Sequence, residues 1–136
     1  MFLGEFYTTF TGKGRVILPK KMRNMISGKE IILSRGFERC IFGYDLGSFE
    51  KEANKQLEVS SAEKSARYIR RYIFSGSVSV EFDSQGRFVI PSVLLTYAHL
   101  KSKVVVIGAG DHFEVWDESN WKKHLKEVEG DYGRVS

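Results

Sequence analysis

Five cations, Lys13, Arg15, Lys20, Lys21 and Arg23, fall within eleven residues of one another. Most of them lie in "TGKGRVILPKK", Thr11 to Lys21, where Gly12 and Gly14 bracket a lysine and Arg15 opens a short apolar run ending in Pro19. An arginine fork can grip a phosphate or the O6/N7 edge of guanine, whereas lysine brings a point charge. Glycines able to take positive φ would set Lys13 and Arg15 at the tip of a two-stranded ribbon, narrow enough for the major groove of duplex DNA. Lys20, Lys21 and Arg23 would extend the patch along the phosphate backbone. The other reading is a basic hairpin that is merely solvated.

A second stretch, "DSQGRFVIPSV" from Asp83 to Val93, repeats the device with Gly86, Arg87 and Pro91. Gln85 stands where Lys13 stood, and Glu81 and Asp83 lie close to Arg87, so an ion pair competes with a DNA contact there. Asp83 can also fold its carboxylate onto turn N–H groups. The first loop is therefore expected to be the stronger contact, with Gly12, Gly14, Asp83 and Gly86 shaping the turns.

The elements that must hold these loops are duplicated. A shift of 72 places Gly4 on Gly76, Phe10 on Phe82, Gly14-Arg15 on Gly86-Arg87, Pro19 on Pro91, Gly36 on Gly108 and Asp45 on Asp117 without a gap. Each copy reads as strand, turn, strand, short helix, strand, turn, strand. Phe6, Thr8 and Phe10 alternate along one face of "GEFYTTF", as Val78, Val80 and Phe82 do in "GSVSVEF". "TGKG" and "DSQG" are expected to close hairpins onto the apolar strands "RVIL" and "RFVI". Pro19 and Pro91 would start the short helices. "EIILSRGFERCIFGY" and "KVVVIGAGDHFEVW" would form second hairpins.

Between the copies, "SSAEKSARYIRRYIF" offers a capping box at Ser60 and Glu63, then an apolar stripe of Ala66, Ile69, Tyr72 and Ile73. Arg67, Arg70 and Arg71 read as the solvated opposite face of that helix, with phosphate contact as the alternative. Trp121, Leu125 and Val128 suggest a last helix, and "EGDYGRVS" a frayed tail. The resulting division is 4–47 for the first repeat, 48–75 for a helical connector, 76–119 for the second repeat and 120–136 for the final helix and tail.

Composition bounds the rest. The 136 residues are 42% hydrophobic and 28% charged, an ordinary globular balance for one or two small domains. Residues 1–74 carry 14 Lys/Arg against 8 Asp/Glu, whereas 75–136 carry 7 against 9, so a polyanionic partner is expected on one side only. A single cysteine, Cys40, excludes an internal disulfide and reads as a buried hydrophobe in a reducing compartment. The N-terminal stretch has neither the basic nor the sustained apolar region of a secretory signal, and no run is long enough to span a bilayer. A cytoplasmic, soluble protein is expected. His99, His112 and His124 are scattered without HExxH or CxxC spacing, so no metal, no cofactor and no small-molecule substrate is expected. Asp111, His112 and Glu114 could do acid–base work, but no candidate nucleophile stands in a recognisable elbow and the chain has little room for a pocket; His112 reads as a turn residue.

The segments "MFLGEF", "GKGRVILPKKMR", "DSQGRFVIP" and "VVVIGAGDHFEVWD" resemble, in this order and over nearly the whole chain, the MraZ family of bacteria. The resemblance implies an α+β fold of two tandem swapped-hairpin AbrB/SpoVT-like β-barrel repeats with short helices and a helical connector. It also implies a transcriptional regulator, a ring-like homo-oligomer associated with the nucleoid. Such a regulator binds repeated double-stranded DNA sites upstream of the division and cell-wall gene cluster. The family's Asp-x-x-x-Arg signature is intact in Asp83 and Arg87. In the first copy Thr11 replaces the aspartate, which leaves Arg15 freer to meet a phosphate or a base edge. Two other classes remain open: a ring-forming structural protein whose Gly-Arg loops make subunit contacts, and an antitoxin-like repressor with a toxin partner.

Overall fold

The computed structural model describes residues 1–10 and 12–135, with side chains to residue 132. Thr11, which stands where the first copy's aspartate is expected, lies outside the described residues. Two families of strands build the protein. Six of them, β1 (Glu5–Thr9), β3 (Glu30–Arg35), β4 (Ile41–Asp45), β5 (Val78–Glu81), β7 (Lys103–Gly108) and β8 (Phe113–Asp117), form an antiparallel sheet in the order β1-β7-β8-β4-β3-β5. The remaining two, β2 (Arg15–Ile17) and β6 (Arg87–Val89), form a separate antiparallel ribbon. Five helices complete the α+β architecture: α1 (Lys20–Arg23), α2 (Leu46–Glu58), α3 (Lys64–Ser75), α4 (Ser92–Tyr97) and α5 (Glu118–Val135).

The second hairpins form as expected, β3 with β4 and β7 with β8. The first hairpins do not. After each tight turn the strands diverge and pair with the other copy: β1 with β7, β5 with β3, and β2 with β6. The physical reason is that a single copy offers too little apolar surface to cover its own strands, so exchange buries more of both. Each strand keeps its partner when the copies are swapped by 72 residues, although β3 and β7 correspond at 73, so that Ile31↔Val80 answers to Val104↔Thr8. Val16↔Phe88 and Phe42↔Glu114 map onto themselves, and Arg15↔Val89 maps onto Ile17↔Arg87. The two copies are thus interlocked about one approximate two-fold axis.

Both faces of the large sheet are covered, which is why its central strands read as unbroken apolar runs. Ile31, Leu33, Val104, Val106 and Phe113 point to the face roofed by the ribbon, α1 and α4, where Val16, Leu18, Phe88, Ile90 and Leu94 meet them. Ile32, Val105, Ile107 and Trp116 point the other way, against Phe49 of α2 and Trp121 of α5. Cys40 is fully buried there, as its sequence context suggested, and burial first, then the nearby Glu114 charge, push its thiol pKa well up.

The connector differs from its sequence reading. It holds two helices, and α3 begins at Lys64 with Glu63 in extended geometry at the cap, so the Ser60/Glu63 capping box does not form. Ser60 Oγ instead accepts from Ala62 N–H at 3.2 Å within the turn. Two members of the arginine cluster, partly exposed, also bond backbone carbonyls. Arg67 Nη1 donates to the carbonyls of Ser61 and Ala62 at 2.9 and 3.3 Å, and Arg70 Nη2 donates to those of Leu57 and Val59 at 3.1 and 2.5 Å. Arg70 thus satisfies carbonyls that the end of α2 leaves open, while Arg67 ties down the turn between α2 and α3. The apolar stripe is only partly covered, since Ala66 is buried but Ile69 and Tyr72 stay 36% and 38% exposed. At the other end, α5 runs through Val135 rather than fraying from residue 129. Asp117 fixes its start, accepting from Asn120 N–H at 3.3 Å and Lys101 N–H at 3.4 Å.

Candidate nucleic-acid interface

The ribbon joins the two Gly-Arg loops. Its strands alternate, so Val16 and Phe88 are buried while Arg15, Ile17, Arg87 and Val89 share the opposite, outward face. Arg15 lies opposite Val89 and Arg87 opposite Ile17, which sets the two arginines on a diagonal about 7–8 Å apart. Each loop is tied to the strand of the other copy: Ile90 N–H donates to Gly14 O at 2.9 Å, and Leu18 N–H donates to Gly86 O at 2.7 Å.

Gly14 and Gly86 both take positive φ, +72° and +82°, and both are roofed from the other copy. A Cβ on Gly14 would stand 2.9 Å from Ile90 O and from Leu95 Cδ1. On Gly86 it would stand 2.5 Å from Arg23 Cδ and Nε. Arg23 and Leu95 are themselves partners under the 72-residue shift. Arg23 is therefore folded across the second loop, with Nε buried and without a hydrogen-bond partner, while Lys13, Arg15, Lys20 and Lys21 are exposed. No carboxylate among the described residues pairs with any of those four.

The second loop is held differently. Asp83 Oδ1 accepts from the N–H groups of Gln85 and Arg87, both at 2.9 Å, and Oδ2 pairs with Arg87 Nε at 2.9 Å. The Arg87 N–H bond foremost, with the guanidinium and the Gln85 N–H adding to it, holds the Asp83 carboxyl below its usual range. Arg87 is half-buried and already has an anionic partner. Gln85, Ser92 and Val93 occupy the positions that Lys13, Lys20 and Lys21 hold in the first copy. The outward face is thus cationic at one end and close to neutral at the other.

Sequence reasoning missed that Ile17 and Val89 face outward, 40% and 49% exposed, because "RVIL" and "RFVI" read as wholly apolar strands. The burial of Val16 and Phe88 between them is the period-2 signal that separates the two faces.

His112 sits away from the ribbon, in the β7–β8 connection. Its Nδ1 lies 2.7 Å from Asp111 and its Nε2 2.8 Å from Glu114, with the ring against Phe42 and Tyr44. Burial opposes its charge, but hydrogen bonds to Glu114 and Asp111, with their charges, outweigh it and raise the pKa above the ordinary 6.5. A raised folded-state pKa stabilises fully below the unfolded value and is lost as pH rises through the folded one. Melting temperature should therefore fall as pH rises above about 6.5, and His112→Gln should flatten that slope. Among the described residues no group of three or more His, Cys, Asp or Glu side chains is placed to hold a metal ion, and no helix is long and apolar enough to cross a membrane.

The family model for the MraZ protein matches residues 1–72 and again residues 73–131, the second match starting 72 positions after the first. The chain belongs to the MraZ family. Proteins named transcriptional regulator MraZ are similar over nearly its full length. That of Finegoldia magna is 36% identical, covering 97% of this chain and 92% of its own. That of Halothermothrix orenii is 36% identical over 100% of this chain and 94% of its own, and that of Dictyoglomus thermophilum 39% identical over 93% and 86%. The doubled match falls on the two copies that interlock in the fold.

Proposed function

We propose that this chain is a transcriptional regulator that binds duplex DNA through the outward face of the β2–β6 ribbon. It acts as a ring-like homo-oligomer on repeated sites upstream of the division and cell-wall gene cluster, in the cytoplasm at the nucleoid. The observation that carries the proposal is the joining of two Gly-Arg loops on one exposed face, beside which Lys13, Arg15, Lys20 and Lys21 are exposed with no carboxylate partner among the described residues. The names of the relatives support regulation of transcription, and the basic front half of the chain supports a polyanionic target.

Arg15 would grip a base edge or phosphate, Lys13 the phosphate beside it, and Lys20 and Lys21 the backbone flanking the ribbon. Arg23 and Arg87 would position the second loop and contribute less charge, since one covers Gly86 and the other pairs with Asp83. This half is open to a direct test. Asp83→Asn keeps an oxygen for the Gln85 and Arg87 N–H bonds but removes the charge, so it should leave the turn intact and release Arg87. DNA affinity at low salt should rise by about two- to tenfold, with a steeper salt dependence.

A single ribbon with so few cations binds weakly at physiological salt, and several on one rigid ring gain through effective concentration. Affinity measured against DNA carrying one, two, three and four sites at native spacing should climb steeply. A flat dependence would overturn the multivalent part of the proposal.

A further inference from the structure

The outward face of the ribbon carries more than cations. Between its two arginines stand Ile17 and Val89, β-branched aliphatic side chains 40% and 49% exposed. Water-facing strand positions are ordinarily polar, and threonine would serve the backbone equally well. The two positions are partners under the 72-residue shift, and they have stayed alike while their surroundings diverged: Lys13 faces Gln85 in the comparison of copies, Lys20 faces Ser92, and Lys21 faces Val93. An apolar pair retained between the two arginines, on a face whose flanking positions have changed, calls for an apolar partner. The base edges of the major groove present one such group, the C5-methyl of thymine.

Building on the DNA-binding reading above, we infer that Ile17 and Val89 are specificity-determining residues that pack against thymine methyl groups. With Arg15 and Arg87 on the diagonal, the four side chains of the face form a small square. Two corners satisfy polar base edges or phosphates and two satisfy methyls. Because β2 and β6 are antiparallel, Ile17 and Val89 lie on the opposite diagonal, also about 7–8 Å apart, roughly the rise of two base steps. The thymines read by one ribbon would thus lie within two or three base pairs of each other.

The experiment removes the methyl without touching any hydrogen bond. The full-length protein is titrated against duplexes from the region upstream of its own gene, in which each thymine of the footprint is replaced in turn by deoxyuridine. Affinity of the unmodified protein should drop about three- to fivefold at each contacted thymine, the size of one buried methyl. Salt dependence should stay unchanged, since no phosphate contact is lost. Ile17→Ala should lose sensitivity at one of these thymines and Val89→Ala at another, with melting temperature and oligomeric state as for the unmodified protein.

If no deoxyuridine substitution affects the unmodified protein while it still binds, the inference is overturned and DNA binding stands. The same holds if the double alanine variant shows the same losses. Absence of binding to any duplex is a separate result that removes the DNA reading itself. The deoxyuridine series needs no variant, so a misfolded alanine substitution leaves the test intact.

Discussion

Arg15→Ala should abolish measurable binding to the upstream DNA at physiological salt while leaving the oligomer and the melting temperature unchanged. Arg15 is exposed and has no carboxylate partner among the described residues, so its loss removes nothing from the fold beyond a small surface effect. A bidentate contact to a base is worth about 1–3 kcal/mol, or about 5- to 150-fold per ribbon, and an oligomer that engages several ribbons multiplies that loss. Gel mobility or anisotropy titration read beside analytical ultracentrifugation checks both halves at once. The exposed Ile17 and Val89 give substance to a different outcome, in which the same face is a seam between subunits. Dissociation of the oligomer by Arg15→Ala would support that seam and count against DNA recognition.

The second large effect is expected at Gly14. Two glycines of the first loop have nearly the same backbone, Gly12 at φ +71° and Gly14 at φ +72°, but different surroundings. A Cβ on Gly12 would meet nothing within 4 Å, so Gly12→Ala should cost only the left-handed backbone strain of about 1–2 kcal/mol. A Cβ on Gly14 would press on Ile90 O, a backbone atom, and on Leu95 from the other copy, both at 2.9 Å. Overpacking adds to the strain, and Gly14→Ala should destabilise by about 2–5 kcal/mol. The displaced atoms belong to the junction between the copies, where Ile90 N–H bonds Gly14 O. Urea unfolding of both variants distinguishes the terms: equal losses would show that the roof over Gly14 contributes nothing.

How much of this was legible in the residues follows from what each signal encodes. The offset of 72 was legible because glycines, prolines and aspartates that a turn or cap demands recur in one register. The alternation of Phe6, Thr8 and Phe10 was legible because period 2 survives whichever strand lies alongside. For the same reason it could not say that β1 pairs with β7 rather than with β2. The capping box failed because Ser60 Oγ takes up the Ala62 N–H inside a turn, and the hold of Arg70 on the end of α2 depends on how the two helices pack. On the ribbon, Lys13 and Arg15 could be placed at an exposed tip from the glycines beside them. The turning of Arg23 over Gly86 could not be read, since it is a contact 63 positions along the chain between elements that only the interlocked fold brings together.

The most direct measurement is the dependence of DNA affinity on salt for the full-length protein and the region upstream of its own gene. Each phosphate neutralised contributes a slope of about −0.9 in log K against log salt. The four cations of the first loop, its strand and α1, Lys13, Arg15, Lys20 and Lys21, which no carboxylate among the described residues pairs, would by themselves reach roughly −3.6, and simultaneous engagement of several subunits predicts a steeper slope that Arg15→Ala makes shallower. A slope near zero, or one that Arg15→Ala leaves unchanged, would contradict an outward cationic ribbon whose partner is nucleic acid.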